Sequence, residues 1–435
     1  MSAQSETKIQ EKEGFKIMGL PLGLFGILTV VVLAATYLGV LPTGMIGAFP
    51  LMIIIGEILN VIGNKTPIVK DYFGGGPIVV IFGSAALVTY SVLPEASGEI
   101  MTNFMKGEGF LNFYIAALIT GSILGMSREL LIKAAVRYLP AILGGVAVAL
   151  GLVALVGALI GYGAQEAMLY IGIPIMGGGM GAGAVPLSEI FGSALNQDTT
   201  AMLSKMIPAL ALGNAMAIVI AGLLDRLGKT RKNLTGNGKL LIAQDDSSLE
   251  VDKKTEAKIE YKLMGIGLLL STTFFAWGRI LGKFIPLHYY ALMIISVAVV
   301  KAFGLLPEKY EEGAFQWFKF IMANLTPALL VGIGVAYTDL AAIISAFTLQ
   351  YVILVAVTLI GAVLGAGLVG RLFGFFPIES AITAGLCMAN MGGTGDVAVL
   401  SASNRMELMP FAQISSRLGG AFIIILATGL LKLFI

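Results

Sequence analysis

Long apolar runs separated by shorter polar intervals dominate the chain. A bilayer core takes about 20 apolar residues per helix. Runs of that kind lie at 20–41, 45–62, 77–93, 110–126, 139–162 and 203–224, and then at 263–282, 287–306, 320–338, 348–369 and 408–435. The pattern predicts an all-α polytopic membrane protein with eleven transmembrane helices. Residues 1–19 read as a polar tail without the basic start, short apolar core and small-residue cleavage site of a signal peptide. Residues 226–262 carry Arg226, Lys229, Arg231 and Lys232 beside Asp245, Asp246 and Glu250, and read as a linker between two halves.

Lys and Arg mark the cytoplasmic side of a membrane protein. Lys8, Lys12 and Lys16 place the N-terminal tail inside. Lys65 and Lys70 then fall inside, as do Arg128, Lys133, Arg137 and the linker, and the C-terminus falls outside. The opposite loop, 94–109, holds Glu95, Glu99 and Glu108 with only Lys106. Two apolar, Gly-rich stretches do not fit as full spans. One is 167–200, broken by Pro174 and Pro186; the other is 375–404, with Pro377 and a glycine run. The charge pattern closes if each enters and leaves on one side. The first then follows the fifth span from outside. The second follows the tenth from inside, between Arg371 and Arg405. With span 20–41 set apart as extra, 42–225 and 263–435 form two inverted-topology five-helix repeats, each with one re-entrant hairpin. Inverted repeats with broken helices are the mark of secondary transporters.

Composition narrows the class further. Of 435 residues, 57% are hydrophobic and 12% charged, against about 25% charged in soluble domains. A nucleic-acid-binding module, a disordered chain and an ordinary cytosolic enzyme are excluded. The formal net charge of +2 is too small to steer polyanions. One Cys (Cys387) and one His (His288) exclude a disulfide framework and a Cys/His metal site within one chain. The 56 glycines permit close helix packing and breaks.

Each re-entrant stretch carries the same core. The first is Gly178-Gly179-Met180-Gly181, within GGGMGAGAVP; the second is Gly392-Gly393-Thr394-Gly395, within CMANMGGTGD. Glycine allows non-helical backbone and close approach of a ligand. At membrane depth, broken backbone survives only where it is buried in protein or lines a wet cavity. Helix N-termini at such breaks suit a carboxylate, and freed carbonyls suit a small cation. A plainer use of the glycines is close packing, which the symmetric pair makes less economical than a shared site.

Arg417 stands in Ser415-Ser416-Arg417-Leu418-Gly419-Gly420, about 15 Å into the last span at 1.5 Å per residue. A lone charge there costs at least about 2.5–3.5 kcal/mol. Its planar fork suits a bidentate carboxylate, with hydroxyl donors from Ser415 and Ser416. The alternative is a structural pair with Asp396 or Glu379. Asp396 and Asn390 flank the second glycine motif, and with the backbones of Cys387, Met388 and Thr394 they offer oxygens for Na⁺. Asp396 also fits a helix-capping role. Glu189 fits the symmetric position after the first motif. A proton replaces Na⁺ if a carboxylate is held protonated, and the sequence leaves that choice open. Asp339 and Glu57 read as structural pairs, His288 as an interfacial residue, and the methionines around 168–216 as packing.

GGGMGAGAVPLSEI, LCMANMGGTGD and ISSRLGG, in this order, resemble the bacterial 2-hydroxycarboxylate transporter family over nearly the whole chain. The resemblance implies a homodimer in the inner (plasma) membrane. Each protomer would have a dimerisation part and a mobile substrate-carrying part working as an elevator. It implies cation-coupled uptake or exchange of malate, citrate or related 2-hydroxy acids, with no cofactor beyond the coupling ion, Na⁺ or H⁺. By the resemblance, Arg417 binds a substrate carboxylate with Ser416, and the tips around Gly179, Met180, Gly181, Met391, Gly393, Thr394 and Gly395 line the site. Citrate-selective, Na⁺-coupled relatives carry Asn and Arg where this chain has Met180 and Met391. Loss of a second Arg removes the partner of a third carboxylate. The expected cargo is therefore a dicarboxylate, L-malate, with citrate uptake or citrate/malate–lactate exchange as the alternative.

Two other classes need excluding. Gly393-Thr394-Gly395-Asp396 and Pro327-Ala328-Leu329 match the G-x-G-D and P-A-L motifs of intramembrane aspartyl proteases. Their order is reversed, however, and the second acid would have to be Asp339. A passive channel would need a continuous pore, whereas two half-depth hairpins suit alternating access.

Overall fold

The computed structural model of the chain describes residues 15–67, 69, 76–126, 128, 137–242, 258–285, 287–341, 344 and 347–434. Lys8, Lys12, Lys70, Lys133, Asp245, Asp246 and Glu250 lie outside the described residues. A helix occupies every apolar run: α1 (Leu22–Tyr37), α2 (Met45–Lys65), α3 (Gly76–Thr89), α5 (Phe110–Leu124), α6 (Leu139–Leu159), α8 (Thr199–Thr230), α9 (Tyr261–Leu281), α10 (Tyr289–Phe303), α11 (Glu308–Tyr337) and α12 (Leu349–Leu372), with the last run broken into α14 (Met409–Ile414) and α15 (Gly420–Phe434). Among the described residues seven helices are long and apolar enough to cross a membrane. An eighth arises if α4 (Glu95–Lys106) and α5, bent by 42°, count as one span.

The helix α4 occupies an interval the sequence pattern left as a loop. Ser97, Met101, Phe104 and Met105 are buried, which is one face at helical spacing. Glu95 in its first turn and Lys106 in its last suit the helix dipole. The run is short and amphipathic, so a search for uniformly apolar stretches passes over it.

The helices that precede the two interrupted stretches, α6 and α12, pack along their length through small residues. A Cβ on Gly361 would lie 2.6 Å from the Ala149 Cα, and one on Gly145 would lie 3.3 Å from the Ala366 Cβ. In lipid such close approach replaces the hydrophobic drive, because the tails are as apolar as the side chains.

Behind the second interrupted stretch sits a buried ionic cluster. The Arg405 Nε donates to Glu379 Oε1 at 2.9 Å and its Nη1 to Asp225 Oδ1 at 2.8 Å. Glu379 also accepts from Thr235 Oγ1 at 2.6 Å and the Gly236 N–H at 2.9 Å. Glu379 is fully buried and Arg405 nearly so. The first part of the polar interval thereby straps onto this root. The Phe376 N–H donates to the Leu240 carbonyl at 2.9 Å, and the Ile242 N–H to the Gly374 carbonyl at 3.0 Å.

Removing one member of a buried pair costs about 3–5 kcal/mol when the other is left alone, and less here because Arg405 keeps Asp225 when Glu379 is lost. Glu379→Ala is therefore expected to lower the thermal unfolding midpoint of detergent-purified protein. Joint replacement by Glu379→Leu and Arg405→Met should recover part of the loss. A midpoint unchanged in the single variant would show the cluster to be energetically idle.

Candidate functional site

Both Gly-rich stretches fold as helical hairpins. The first runs through 164–175 and returns through 180–195, ending in α7 (Val185–Leu195); the second runs through 377–386 and returns as α13 (Gly393–Ala402). Gly178, Gly179 and Gly392 have φ of +78°, +115° and +89°, the left-handed side that glycine tolerates. Those conformations lie in the short breaks, 176–179 and 387–392, that separate the two legs of each hairpin. The returning helices start immediately after Gly179 and Gly392.

The two tips meet back to back. A Cβ on Gly179 would lie 2.9 Å from the Gly392 nitrogen and 3.0 Å from the Met391 carbonyl oxygen. A Cβ on Gly420, in the last span, would lie 2.8 Å from the Gly177 carbonyl oxygen. Beside this junction is a cavity of about 460 Å³. Gly179, Met180, Gly181, Met391, Ser416 and Arg417 all line it. The sequence-nominated residues from two distant motifs and the last span thus share one chamber.

Arg417 stands in a π-helical turn, Ser415–Gly419. Such turns offset side chains from the regular helical register and recur at functional sites. Its guanidinium lies 5.6 Å from the centroid of the Phe318 ring, a cation–π arrangement. Among the described residues it makes no ion pair. Of the two structural pairings considered for it, Glu379 is bound to Arg405; Asp396 lines the same cavity and acts on Arg417 electrostatically, but its hydrogen bonds go to Asn390 and Ser416 and the two make no direct ion pair. Arg417 is the one basic side chain among the described residues that line the cavity.

Asp396 accepts from Asn390 Nδ2 at 2.9 Å and from Ser416 Oγ at 3.1 Å on each oxygen. Ser416 Oγ also lies 3.0 Å from the Cys387 carbonyl oxygen. A hydroxyl has one proton to give. Three acceptor oxygens therefore converge on a group that satisfies one of them. The Asn390 Oδ1 is engaged in shaping the tip, accepting the Gly392 N–H at 2.8 Å. This surplus of oxygen lone pairs, with one carboxylate and neutral donors, suits a small hard monovalent cation. The described residues hold no cluster of three or more His, Cys, Asp or Glu. Met388 is buried beside this group, whereas the side chain of Thr394 lies outside the described residues. Gly393 and Gly395 form the first turn of α13.

Other nominated residues sit elsewhere. Glu189 does not mirror Asp396; it accepts from Tyr289 Oη at 3.0 Å, with Tyr290 Oη 3.2 Å away and closer to Asn112 Oδ1 at 2.5 Å. His288 caps α10, its Nδ1 accepting the Tyr290 N–H at 3.3 Å. The Asp339 N–H donates to Ser204 Oγ at 2.8 Å. Glu57 is half-buried and has no ion pair among the described residues.

Several groups escaped the sequence reading. Tyr114 and Thr326, paired at 2.8 Å through their hydroxyls, form part of the facing wall. Nothing local to either residue signals this. Gln413 lines the cavity one helical turn before Arg417, a relation that i, i+4 spacing does signal. Asn214, fully buried in α8, accepts the Met391 N–H at 3.2 Å through Oδ1. An amide in the middle of an apolar run was the available clue.

The sequence profile of the 2-hydroxycarboxylate transporter family matches residues 17–429. The chain is 42% identical over 433 residues to a Na(+)-malate symporter of Bacillus subtilis (strain 168), covering 99% of this chain and 96% of that one. It is 41% identical to a citrate/sodium symporter of Klebsiella pneumoniae, covering 98% and 97%. It is 39% identical to a citrate transporter of Lactococcus lactis subsp. lactis, again covering 98% and 97%.

The junction of the tips has its own test. Gly179→Ala combines a strained backbone with a clash against backbone that cannot swing away, at about 1–3 kcal/mol each. Gly109→Ala is the control, since Gly109 has φ +76° and open space around it. The thermal midpoint should fall clearly further for Gly179→Ala than for Gly109→Ala. Equal falls would show that the tips part without cost.

Proposed function

The chain belongs to the 2-hydroxycarboxylate transporter family, and from that premise we propose that it carries L-malate together with Na⁺ by an elevator motion of the body bearing both hairpins. It is a cation-coupled membrane transporter of 2-hydroxycarboxylates and not an enzyme. The match of Asp396 to a protease motif is thus incidental. The carrying observation is Arg417: a guanidinium in the chamber beside the two glycine tips, with no ion pair among the described residues and with the one carboxylate in the wall, Asp396, hydrogen-bonded to Asn390 and Ser416.

Malate brings two carboxylates at neutral pH. Arg417 takes one through its fork. The helix starts after Gly179 and Gly392 have unpaired N–H groups in their first turns and favour the second. A third carboxylate, as in citrate, finds no second basic side chain in the described wall. Met180 and Met391 occupy the places where one would reach it, and both are almost fully buried. The Bacillus relative is named for malate and the Klebsiella relative for citrate. The lone cation in the chamber favours the former for this chain.

Na⁺ would lie among Asp396, Ser416 Oγ, the Asn390 amide and the carbonyls of Cys387 and Met388. Ser416 neighbours Arg417 in the chain, so the ion and the anion share one π-helical turn. Occupancy of either site orients the other, and the two charges offset each other. A half-loaded carrier would bring an uncompensated charge into apolar surroundings.

The rest of the reading is architectural. Eleven spans with the N-terminus cytoplasmic and the C-terminus outside, two inverted repeats at 42–225 and 263–435, and a homodimer all follow the family plan. The packing of α6 on α12, and of one glycine tip on the other, supports an internal two-fold relation.

Proteoliposome uptake tests the reading. Labelled malate should accumulate under an imposed Na⁺ gradient and not under a pH gradient alone. Citrate outcompeting malate by tenfold would remove the dicarboxylate preference. Arg417→Lys keeps the charge but loses the fork, and is expected to raise the malate KM by about tenfold or more. Asp396→Asn should raise the Na⁺ concentration for half-maximal uptake by about tenfold. A near-normal malate KM in Arg417→Lys would contradict the substrate assignment.

A further inference from the structure

A larger cavity, about 780 Å³, lies apart from the Arg417 chamber. Its walls come from the returning leg of the first hairpin, the end of α9 and the turn after it, the start of α10 and the last turns of α15. Volumes of this size hold drug-sized or larger ligands. The lining is divided by chemistry. Ile190, Leu287 and Leu431 supply apolar wall, while Arg279 and Lys283 supply two cations. Neither cation makes an ion pair among the described residues. Arg279 stacks 5.3 Å from the centroid of the Tyr289 ring, which fixes its place at the mouth. The nearby carboxylate of Glu189 accepts from Tyr289 Oη and acts on Arg279 electrostatically, without a direct ion pair.

The cations also sit at a telling level. Arg279 is in the last turn of α9, Lys283 two residues past its end, and Leu431 close to the end of α15. By the orientation read from the sequence these helix ends lie on the outer side, at the headgroup level, where long basic side chains reach lipid phosphates. Ile280 lines the same cavity and is 49% exposed, and neighbouring Phe284 is 80% exposed. The opening is thus continuous with an apolar outer surface of the helices. An occupant must join a negative head to an apolar tail. A small hydroxy acid lacks the tail and would leave the apolar wall bare. A zwitterionic lipid brings its own cation against two more.

We propose that this cavity binds an anionic phospholipid, with the phosphate between Arg279 and Lys283 and an acyl chain along Leu287 and Ile280, over the buried floor of Ile190 and Leu431. The site is independent of which acid the carrier moves. Because the wall joins the first hairpin to α9, a bound lipid bridges the two halves of the chain.

Native mass spectrometry of the purified full chain tests this, titrating phosphatidylglycerol and phosphatidylcholine of matched chains. Phosphatidylglycerol is expected to bind at least tenfold more tightly. At about fivefold per cation, R279Q/K283Q should weaken it about thirtyfold, while R279K/K283R should retain it. A photoactivatable phosphatidylglycerol should label peptides containing Ile280 or Leu287 in the unsubstituted protein, a result that does not depend on the variants folding. Equal binding of the two lipids, full retention in R279Q/K283Q, or labelling confined to other surfaces would overturn the proposal. Displacement by millimolar inorganic phosphate or malate would also overturn it, showing a vestibule for soluble anions. Malate uptake, measured separately, reports on the transport reading alone.

Discussion

A guanidinium cannot stand in a low-dielectric interior without an answering charge, and this chain answers the problem in two opposite ways. Arg405 is enclosed by Glu379, Asp225 and Thr235, with its fork used up by the protein. Arg417, twelve residues later, has a ring beside it and a chamber before it. Both are Arg beside polar neighbours in an apolar stretch, yet one is a fastening and the other an unmet demand. The fold around Arg417 makes sense as a means of holding that demand open. The hairpins exclude lipid, the glycines let their tips close over one side, and the carboxylate nearest in motif is tied down by Asn390 and Ser416.

The tie on Asp396 is itself incomplete, which in the proposed reading links the two ligands. Three oxygens crowd a hydroxyl with a single proton, so the cluster is rich in lone pairs until a cation or proton arrives. Ser416 belongs to that cluster while its neighbour faces the chamber. Coupling in such an arrangement needs no long pathway. It needs only that one turn of helix serve two charges of opposite sign, each relieving the cost of burying the other.

Much of this was legible in the residues. Uniformly apolar runs of about 20 residues gave the helix positions, because length and apolarity are what lipid demands. Paired glycine motifs marked where both stretches break, because glycine tolerates the left-handed backbone found at Gly178, Gly179 and Gly392. The depth of Arg417 marked it as unusual. The partner of Glu379 was not legible. Arg405 lies 26 positions away, across the whole second hairpin, and only the folded hairpin root brings them together. The Tyr114–Thr326 wall stayed hidden for the same reason. Helix α4 was missed because its signal is amphipathic and short rather than apolar and long.

The junction between the glycine tips is made of main chain on both sides, so it demands the absence of a side chain at Gly179 and asks nothing of the side chains at Met180 and Met391. Met180 and Met391 flank that junction and face the chamber without helping to hold it shut. Residues at these two places are therefore free to drift. Under the proposed function, a change of cargo would need only this pair rewritten, with the main-chain contact of Gly179 on Gly392 kept as it is.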